Sequence, residues 1–159
     1  MAKSNLERMI ELANEFFDVR NDPEQISVDE EVRARLQLID PATMTEERDE
    51  QGPIAWVLLI PTIRHVMDDF VQKRINEREL LNLTPIGAKY DALYLCSALV
   101  LPEHRGKGIA RRLTKSAVKS IQTRHVIASL FCWPFSLSGE KLAESIATEI
   151  RLPLFKRIS

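Results

Sequence analysis

The amino-acid sequence predicts a single α/β domain. Residues 92–150 read as strand, helix, strand and helix in alternation, and a short glycine-bearing loop joins the first strand to the helix after it. The chain has 159 residues, 45% of them hydrophobic and 28% charged, which is enough for one buried core. No repeat, linker or low-complexity tract interrupts it. We therefore expect residues 1–159 to form one domain.

The N-terminal half predicts one helix and two strands. Residues 4–7 (SNLE) have the capping-box pattern that opens a helix, and Asp22-Pro23 would end it. Alternation over 32–39 predicts a strand, and the polar stretch 40–52 predicts a loop. The continuous apolar run 53–60 predicts a buried strand. The predicted apolar face of the first helix consists of Leu6, Met9, Ile10, Ala13 and Phe17.

The C-terminal half carries the alternating elements. Residues 62–83 have apolar side chains near helical spacing and predict a helical segment closed by Pro85. The remaining predicted elements are a strand over 93–101, a helix after Gly108, a strand over 125–135, a helix over 139–150 and a short strand over 153–158.

Composition limits the classes of partner. The formal net charge is −1, so no global field attracts nucleic acid or an anionic membrane. The sequence has no apolar run of transmembrane length and no basic, apolar leader. Cys96 and Cys132 both lie in apolar stretches, which favours buried thiols over a disulfide. We expect a cytoplasmic protein that binds neither nucleic acid nor membrane.

The loop Arg105-Gly106-Lys107-Gly108 is the strongest functional signal. A strand, a glycine loop and a helix start together expose backbone N–H groups that bind phosphate oxygens. A dinucleotide loop would need a third glycine where Arg111 stands, and a P-loop needs four residues between its glycines rather than Lys107 alone. The pattern therefore predicts a pyrophosphate site of another kind. A plain turn before a surface helix is the alternative.

The segment over 92–122, about a fifth of the chain, resembles the acyl-CoA-binding segment of the GNAT N-acetyltransferase superfamily. Val100 and Pro102 match its Val-x-Pro, and Arg105, Gly108 and Ala110 match its Gln/Arg-x-x-Gly-x-Gly/Ala signature. The resemblance implies a mixed central sheet flanked by helices. It makes 93–101 the family's fourth strand and 125–135 the fifth, with the pantetheine arm entering where these two strands splay apart.

The resemblance also implies binding roles for residues of this segment. Backbone groups of Leu99, Val100 and Leu101 would pair with the arm and hold the thioester. The residues implied to hold the pyrophosphate are Arg105, Gly106, Lys107, Gly108, Ile109, Ala110 and Arg111.

Two features depart from the family pattern. A helical insertion over 62–85 precedes the fourth strand, where the family has a short turn, and the sequence after residue 150 leaves room for one small strand instead of two. The sheet is therefore expected to be truncated at this end or completed by a second copy, since an unpaired edge invites pairing. A homodimer is a hypothesis on this ground.

No residue fills the family's catalytic role by type. Many members use a tyrosine after the fifth strand as general acid, but this chain has only Tyr90 and Tyr94. The candidates are Ser138, Cys132 and Tyr94, with Ser136 and Ser97 beside them. For each, packing or helix capping is the simpler interpretation.

His65 and Asp69, four residues apart, are candidates for a metal or acid–base pair, although a solvated helix face explains them more simply. No Cys/His cluster has zinc spacing, so no metal is expected.

Two functions follow from the resemblance. The first is N-acetyl transfer from acetyl-CoA to a primary amine of unidentified structure, by direct attack in a ternary complex. The second is a CoA-binding module of the same fold that does not catalyse and has a regulatory or structural role.

Overall fold

The computed structural model describes residues 2–20 and 29–158 of the chain, with side chains described for 2–16 and 29–158. Within these ranges the strands are β1 Met44–Asp49, β2 Gly52–Thr62, β3 Ala92–Val100, β4 Ser129–Cys132 and β5 Leu154–Lys156. The helices are α1 Asn5–Arg20, α2 Glu30–Ile39, α3 Arg64–Val71, α4 Glu77–Leu83, α5 Ile109–Gln122 and α6 Leu137–Ile150, and Pro102–His104 forms a 3-10 turn.

The five strands form one mixed sheet in the order β1-β2-β3-β4-β5. The first three are antiparallel, and β3, β4 and β5 run parallel. This confirms the predicted mixed α/β class. The parallel connections pass through α5 and α6, and right-handed crossovers in one direction along a sheet put both helices on one face. Ion pairs from Arg111 and Lys115 on α5 to Glu149 on α6 join them there.

The helical insertion between β2 and β3 is confirmed, but it consists of two helices. The first, α3, ends before Lys73, whose φ of 66° breaks the helical path. Asn76 then begins α4 with a full capping box: its side chain accepts from the Glu79 N–H at 2.8 Å, and the Glu79 carboxylate accepts from the Asn76 N–H at 3.2 Å.

The strand predicted over 32–39 is wrong, because this segment is helix α2. The Asp29 side chain caps it by accepting from the Val32 N–H at 2.9 Å. Its buried residues are Leu36 and Ile39, three apart, and that spacing places them on one helix face. The cap and this spacing outweigh the alternation of the intervening polar residues.

The loop predicted over 40–52 is also wrong, because it contains strand β1. The sequence of β1 is MTEERD, and it pairs with β2 at the edge of the sheet. An edge strand tolerates and often carries charged side chains, so a polar run does not exclude a strand.

Helix α1 begins as predicted, but its buried face is rotated. Ser4 caps it by accepting from the Glu7 N–H at 3.1 Å. Met9 is fully buried, whereas Leu6 is 51% and Ile10 47% exposed. The predicted stop at Asp22-Pro23 and the side chain of Phe17 lie outside the residues that the structure describes.

A buried ion pair fixes the end of α2 to the chain after α5. The Asp40 side chain, 1% exposed, accepts two hydrogen bonds from Arg124, at 2.8 and 2.9 Å, and one from the Ala42 N–H at 2.8 Å. His125 Nε2 lies 3.3 Å from the same carboxylate. Burial alone would raise the pKa of Asp40, but the hydrogen bonds from Arg124 and Ala42 outweigh it and hold the pKa below its ordinary value.

We predict that Asp40→Asn lowers the free energy of unfolding at pH 7 by about 2 kcal/mol, because it removes charge-assisted bonds from a buried site. Since the folded pKa is lowered, the carboxylate stabilises the fold above its unfolded pKa of about 3.9, and this contribution disappears as the pH falls through the folded pKa. Urea unfolding at a series of pH values measures the difference. The exposed pair of Asp68 with Arg64 supplies a control, Asp68→Asn, with an expected change below about 0.5 kcal/mol. An Asp40→Asn variant as stable as the wild type at pH 7 would contradict the assignment.

Candidate functional site

Strands β3 and β4 pair over only three residues and then diverge. Their register runs from Ala92 opposite Ser129 to Tyr94 opposite Phe131, and β3 continues to Val100 without β4 beside it. A cavity of about 710 Å³ lies in this gap. It is lined by Phe16 of α1, Leu59 of β2, residues 95–100 of β3, His104, Arg105, Gly106, Gly108, Ile109, Ala110, Arg111 and Thr114, residues 132–136, and Ser138, Gly139, Leu142, Ala143 and Ile146.

A β-bulge in β3 lies beside the start of this gap. Leu58 pairs with Ser97 and Leu59 with Leu95, so Cys96 is the extra residue on β3. A bulge bends its strand and increases the local twist. The bulge therefore lies within two residues of Tyr94, where the pairing of β3 with β4 ends.

The backbone of β3 presents alternate residues to the gap. The Leu101 N–H donates to the Ile54 carbonyl at 2.9 Å, so Leu101 directs its backbone groups toward β2. In an antiparallel ladder these directions alternate, so Leu99 also faces β2, and Ala98 and Val100 face the gap. Of the three residues expected to pair with the arm, Val100 directs backbone groups into the gap and Leu99 lines the cavity, whereas Leu101 does neither. Ala98, which was not among the expected residues, also faces the gap.

The glycine loop leaves the start of α5 open. Gly106 and Gly108 both have φ near 76°, a conformation that favours glycine, and a Cβ on either would meet nothing within 4 Å. The first helical bond is from the Arg112 N–H to the Gly108 carbonyl at 3.0 Å, and no side chain caps this helix. The N–H groups of the first turn, residues 109–111, are therefore without an intrahelical partner.

The cationic side chains around the loop differ in their hydrogen-bond partners and in whether they line the cavity. Arg105 Nε donates to the Val100 carbonyl at 3.0 Å, which folds the side chain back along the cavity wall. Arg111 lines the cavity but its guanidinium also donates to Glu149 at 3.0 Å. Lys107 is exposed and, like Leu101, is not among the cavity-lining residues.

Two contacts brace the turn that precedes the loop. Arg8 of α1 donates two hydrogen bonds to the Glu103 carboxylate, at 2.7 and 2.6 Å. These bonds lower the pKa of Glu103 to about 2. His104 Nε2 lies 3.5 Å from Asp49 Oδ2, which connects the same turn to β1. The loop is therefore held from α1 and from the sheet edge.

Comparison with known proteins identifies the fold family. The family model of the GNAT acetyltransferases matches residues 6–136, which is most of the chain. This chain belongs to the GNAT acetyltransferase family. Members of this family transfer acyl groups, and acetyl-CoA is the donor that the family uses. No curated protein matches the chain.

Solved structures of N-acetyltransferases are similar at low identity. A ribosomal-protein-alanine N-acetyltransferase from Brucella melitensis biovar Abortus is 19% identical over 64% of this chain and 58% of its own, with a TM-score of 0.39. Naa20 of Chaetomium thermophilum, in complex with a bisubstrate analogue, is 14% identical over 85% of this chain and 64% of its own, with a TM-score of 0.47. This chain thus spans about three fifths of the length of each.

Tyr94 does not reach the GNAT cleft. Its side chain is fully buried, stacks on Phe131 with ring centroids 5.0 Å apart, and donates to Glu77 Oε1 at 2.5 Å. Phe70 of α3 packs against it at 5.0 Å. These contacts put Tyr94 on the sheet face covered by α3 and α4, and it does not line the cavity.

Of the two serines at the start of α6, the one that caps the helix is not the one for which capping was predicted. Ser136, not Ser138, caps the helix by accepting from the Gly139 N–H at 3.0 Å. Ser138 is exposed, lies 3.3 Å from the Ser136 hydroxyl and lines the cavity. Ser97 also lines the cavity.

Cys132 lines the cavity with a buried side chain. Burial raises the pKa of its thiol to about 11. The group is therefore neutral at pH 7, and it is a weak donor to a thiolate whose own acid has a pKa near 8.5.

The remaining histidine–carboxylate candidate is a surface feature. His65 Nε2 lies 3.4 Å from Asp69 Oδ2 on the outside of α3, and Asp69 also accepts from Arg74 at 2.7 Å. In the described part of the chain, no group of three His, Cys, Asp or Glu residues is placed to hold a metal ion. No described helix is long and apolar enough to cross a membrane.

The sequence analysis missed the aromatic wall of the cleft. Trp133 and Phe135 follow β4, pack edge to face with centroids 4.4 Å apart, and line the cavity together with Phe16 of α1. The available signal was the run Trp133-Pro134-Phe135, where a proline stops the strand between two aromatic residues.

We predict that Cys132 reacts slowly with iodoacetamide because its thiol is kept neutral. With a pKa of about 11, roughly one molecule in a thousand is thiolate at pH 8, compared with about a quarter for an ordinary cysteine. Alkylation followed by peptide mass spectrometry from pH 7 to 11 should show a rate that rises throughout. A plateau below pH 9 would contradict the raised pKa, and the unfolded protein in urea provides the reference rate.

Proposed function

We propose that this chain is an N-acyltransferase that moves an acyl group, acetyl in the simplest case, from CoA to a primary amine. One observation carries the proposal: the gap between β3 and β4 leads directly to the uncapped start of α5 at the glycine loop. A strand-like arm and a pyrophosphate need these two features side by side. We further propose that residues 1–159 act as one acyl-CoA-binding domain.

The residues of the cleft fit the parts of an acyl-CoA. Ala98 offers its N–H and carbonyl, and Val100 its N–H, to the pantetheine amides, because these groups are directed into the gap; the Val100 carbonyl already accepts from Arg105. The first-turn N–H groups of α5 would take pyrophosphate oxygens, since free donors and the helix dipole both favour an anion. Arg105 adds a charge that is already directed along the wall by its bond to Val100. Lys107 is exposed and contributes at most a solvated charge.

The chemistry proposed here is direct attack. The amine nitrogen adds to the thioester carbonyl carbon, the C–S bond breaks as the amide forms, and the proton lost by the nitrogen ends on the CoA thiol. Holding the two reactants in one cleft supplies much of such a rate. Among the candidates, Tyr94 lies in the core, Cys132 is a weak acid, and Ser138 lines the cavity but carries an aliphatic hydroxyl, which is a weaker acid than a thiol; solvent is therefore the proton carrier we propose.

The absence of a strong acid among these candidates also favours a second candidate function. A GNAT-fold protein without a suitable acid could bind CoA and act as a regulatory or structural module without turning it over. Both functions require acyl-CoA binding, and only the first yields free CoA in the presence of an amine.

Calorimetric titration tests the proposal, with acetyl-CoA as ligand and NAD and ATP as controls. Saturable binding of acetyl-CoA alone supports the cleft as its site and justifies a screen of amines for release of free thiol. Binding without turnover across that screen would favour the non-catalytic module. No binding by a folded sample would overturn both.

Gly108→Trp tests whether the glycine loop is the site. The space beside Gly108 is open, so we expect a folded protein that no longer binds acetyl-CoA measurably in calorimetry. Gly87→Trp is the matched control, because Gly87 has φ 75° and open space as well but lies between α4 and β3, away from the cavity. It should cost similar stability and leave affinity unchanged. Equal affinities in the two variants would mean that the loop is only a turn.

The proposed partners of the protein are the thioester, the amine and a second copy of the chain. Strand β5 has β4 on one side and no described strand on the other, and an open edge favours pairing between copies. We predict a dimer in light scattering at high micromolar concentration, and a clean monomer would overturn it.

Both cysteines are buried free thiols, which supports a reducing compartment such as the cytoplasm.

A further inference from the structure

The cavity changes chemical character from one end to the other. Its cationic lining residues, among those described, are Arg105 and Arg111, and both lie at or beside the glycine loop, as does His104. The other end, where β3 and β4 part, is lined by apolar and aromatic side chains. We call this end the fork pocket and define it by Leu95, Cys132, Trp133, Phe135 and Leu142.

The length of a pantetheine arm places the acyl group in the fork pocket. The arm has about twelve chain bonds between its phosphate oxygen and its sulfur, which is the span of about four residues of extended polypeptide at three bonds each. Val100 pairs with the amide nearer the phosphate and Ala98 with the other, so the phosphate lies beyond Val100, toward the glycine loop. Three bonds, about one residue of extended chain, separate the second amide nitrogen from the sulfur. The thioester sulfur therefore falls near Ser97, and the acyl carbons lie toward Cys96 and Leu95, the first residue of β3 past the last β4 pair.

The aromatic wall of the fork pocket is held open by its own contacts. The Arg157 guanidinium packs over two neighbouring rings, 4.7 Å from the centroid of Trp133 and 4.5 Å from that of Phe70. Its Nη1 donates to the Ile75 carbonyl at 2.7 Å and to the Phe70 carbonyl at 3.2 Å. Phe135 packs edge to face on Trp133. A wall fixed in this way does not have to be ordered when a ligand arrives.

From these observations, and resting on the proposed function, we propose that the fork pocket selects a thioester whose acyl chain is apolar and longer than acetyl. The five residues that define the pocket are apolar or aromatic, and the carboxylates that act on Cys132, those of Glu140 and Glu144, are already paired with Lys156 at 3.4 Å, so an ammonium group would find no free counter-ion there. An acyl chain is the apolar part of the ligand that reaches it. Each methylene buried contributes up to about a fourfold gain in affinity.

Calorimetry with CoA, acetyl-CoA, butyryl-CoA and hexanoyl-CoA tests the proposal on the wild-type chain. We expect hexanoyl-CoA to bind at least about tenfold more tightly than acetyl-CoA, with butyryl-CoA between them. The measured quantity is the ratio of the hexanoyl and acetyl dissociation constants, because the shared CoA part cancels from it.

Leu142→Trp fills the fork pocket from α6 and should bring this ratio close to one. Leu83→Trp is the matched control, since Leu83 is an exposed leucine at the end of α4 and does not line the cavity; it should keep the wild-type ratio. Leu142→Phe, a smaller change with an intermediate expected ratio, keeps the test available if Trp at this position does not fold.

The outcomes separate this inference from the function on which it rests. If CoA and acetyl-CoA bind but the wild-type ratio is near one or favours acetyl, the chain selectivity is overturned and the proposed function stands. If Leu142→Trp keeps a high ratio, the chain lies elsewhere and the fork pocket is overturned. If neither CoA nor any thioester binds to folded protein, the proposed function fails and this inference fails with it.

Discussion

The short pairing of β3 with β4 is the constraint on which the rest of the site depends. Only three residue pairs join the strands, and the Cys96 bulge then bends β3 while Pro134 ends the path of β4. The Cys132 carbonyl is already used by the Arg157 N–H at 2.9 Å, so the end of β4 is tied to β5 instead. Backbone groups of Ala98 and Val100 consequently face a gap. Polar groups of the main chain need partners: the Val100 carbonyl has one in Arg105, and the proposed strand-like ligand would supply partners for the others.

Ion pairs far apart in sequence hold the two ends of this arrangement. The Arg8–Glu103 pair secures the turn before the glycine loop to α1, and the Asp40–Arg124 pair secures the chain between α5 and β4 to the end of α2. The second pair is buried and stabilises the fold through hydrogen bonds to a charged group. The first is exposed, and such pairs contribute little to stability, so its role is to set the position of the turn.

The elements with strong local signals were predictable from the sequence, and the elements set by tertiary pairing were not. The apolar run of β2, the glycine loop and the regular four-residue spacing of α5 each fix their structure locally. Strand β1 is polar and becomes a strand because β2 lies beside it, and α2 depends on the Asp29 cap and on two buried residues. At the site, the glycines carried the signal. The direction of each backbone group could not be predicted from the sequence, because it follows from a strand register that only the paired structure fixes.

The separation of charge within the cleft gives the proposed ligand a single direction. Arg105, Arg111 and the uncapped N–H groups of α5 lie at one end, and apolar side chains line the other. A ligand that is anionic at one end and apolar at the other therefore binds in one orientation, since the reverse would bury phosphate against aromatic rings. In the proposed complex, fixed backbone donors and the wall that Arg157 holds would set the orientation, so the thioester carbon would lie at one point of β3 without a catalytic side chain directing it. This is the physical basis on which a GNAT fold lacking the family's late tyrosine can still present a thioester for attack.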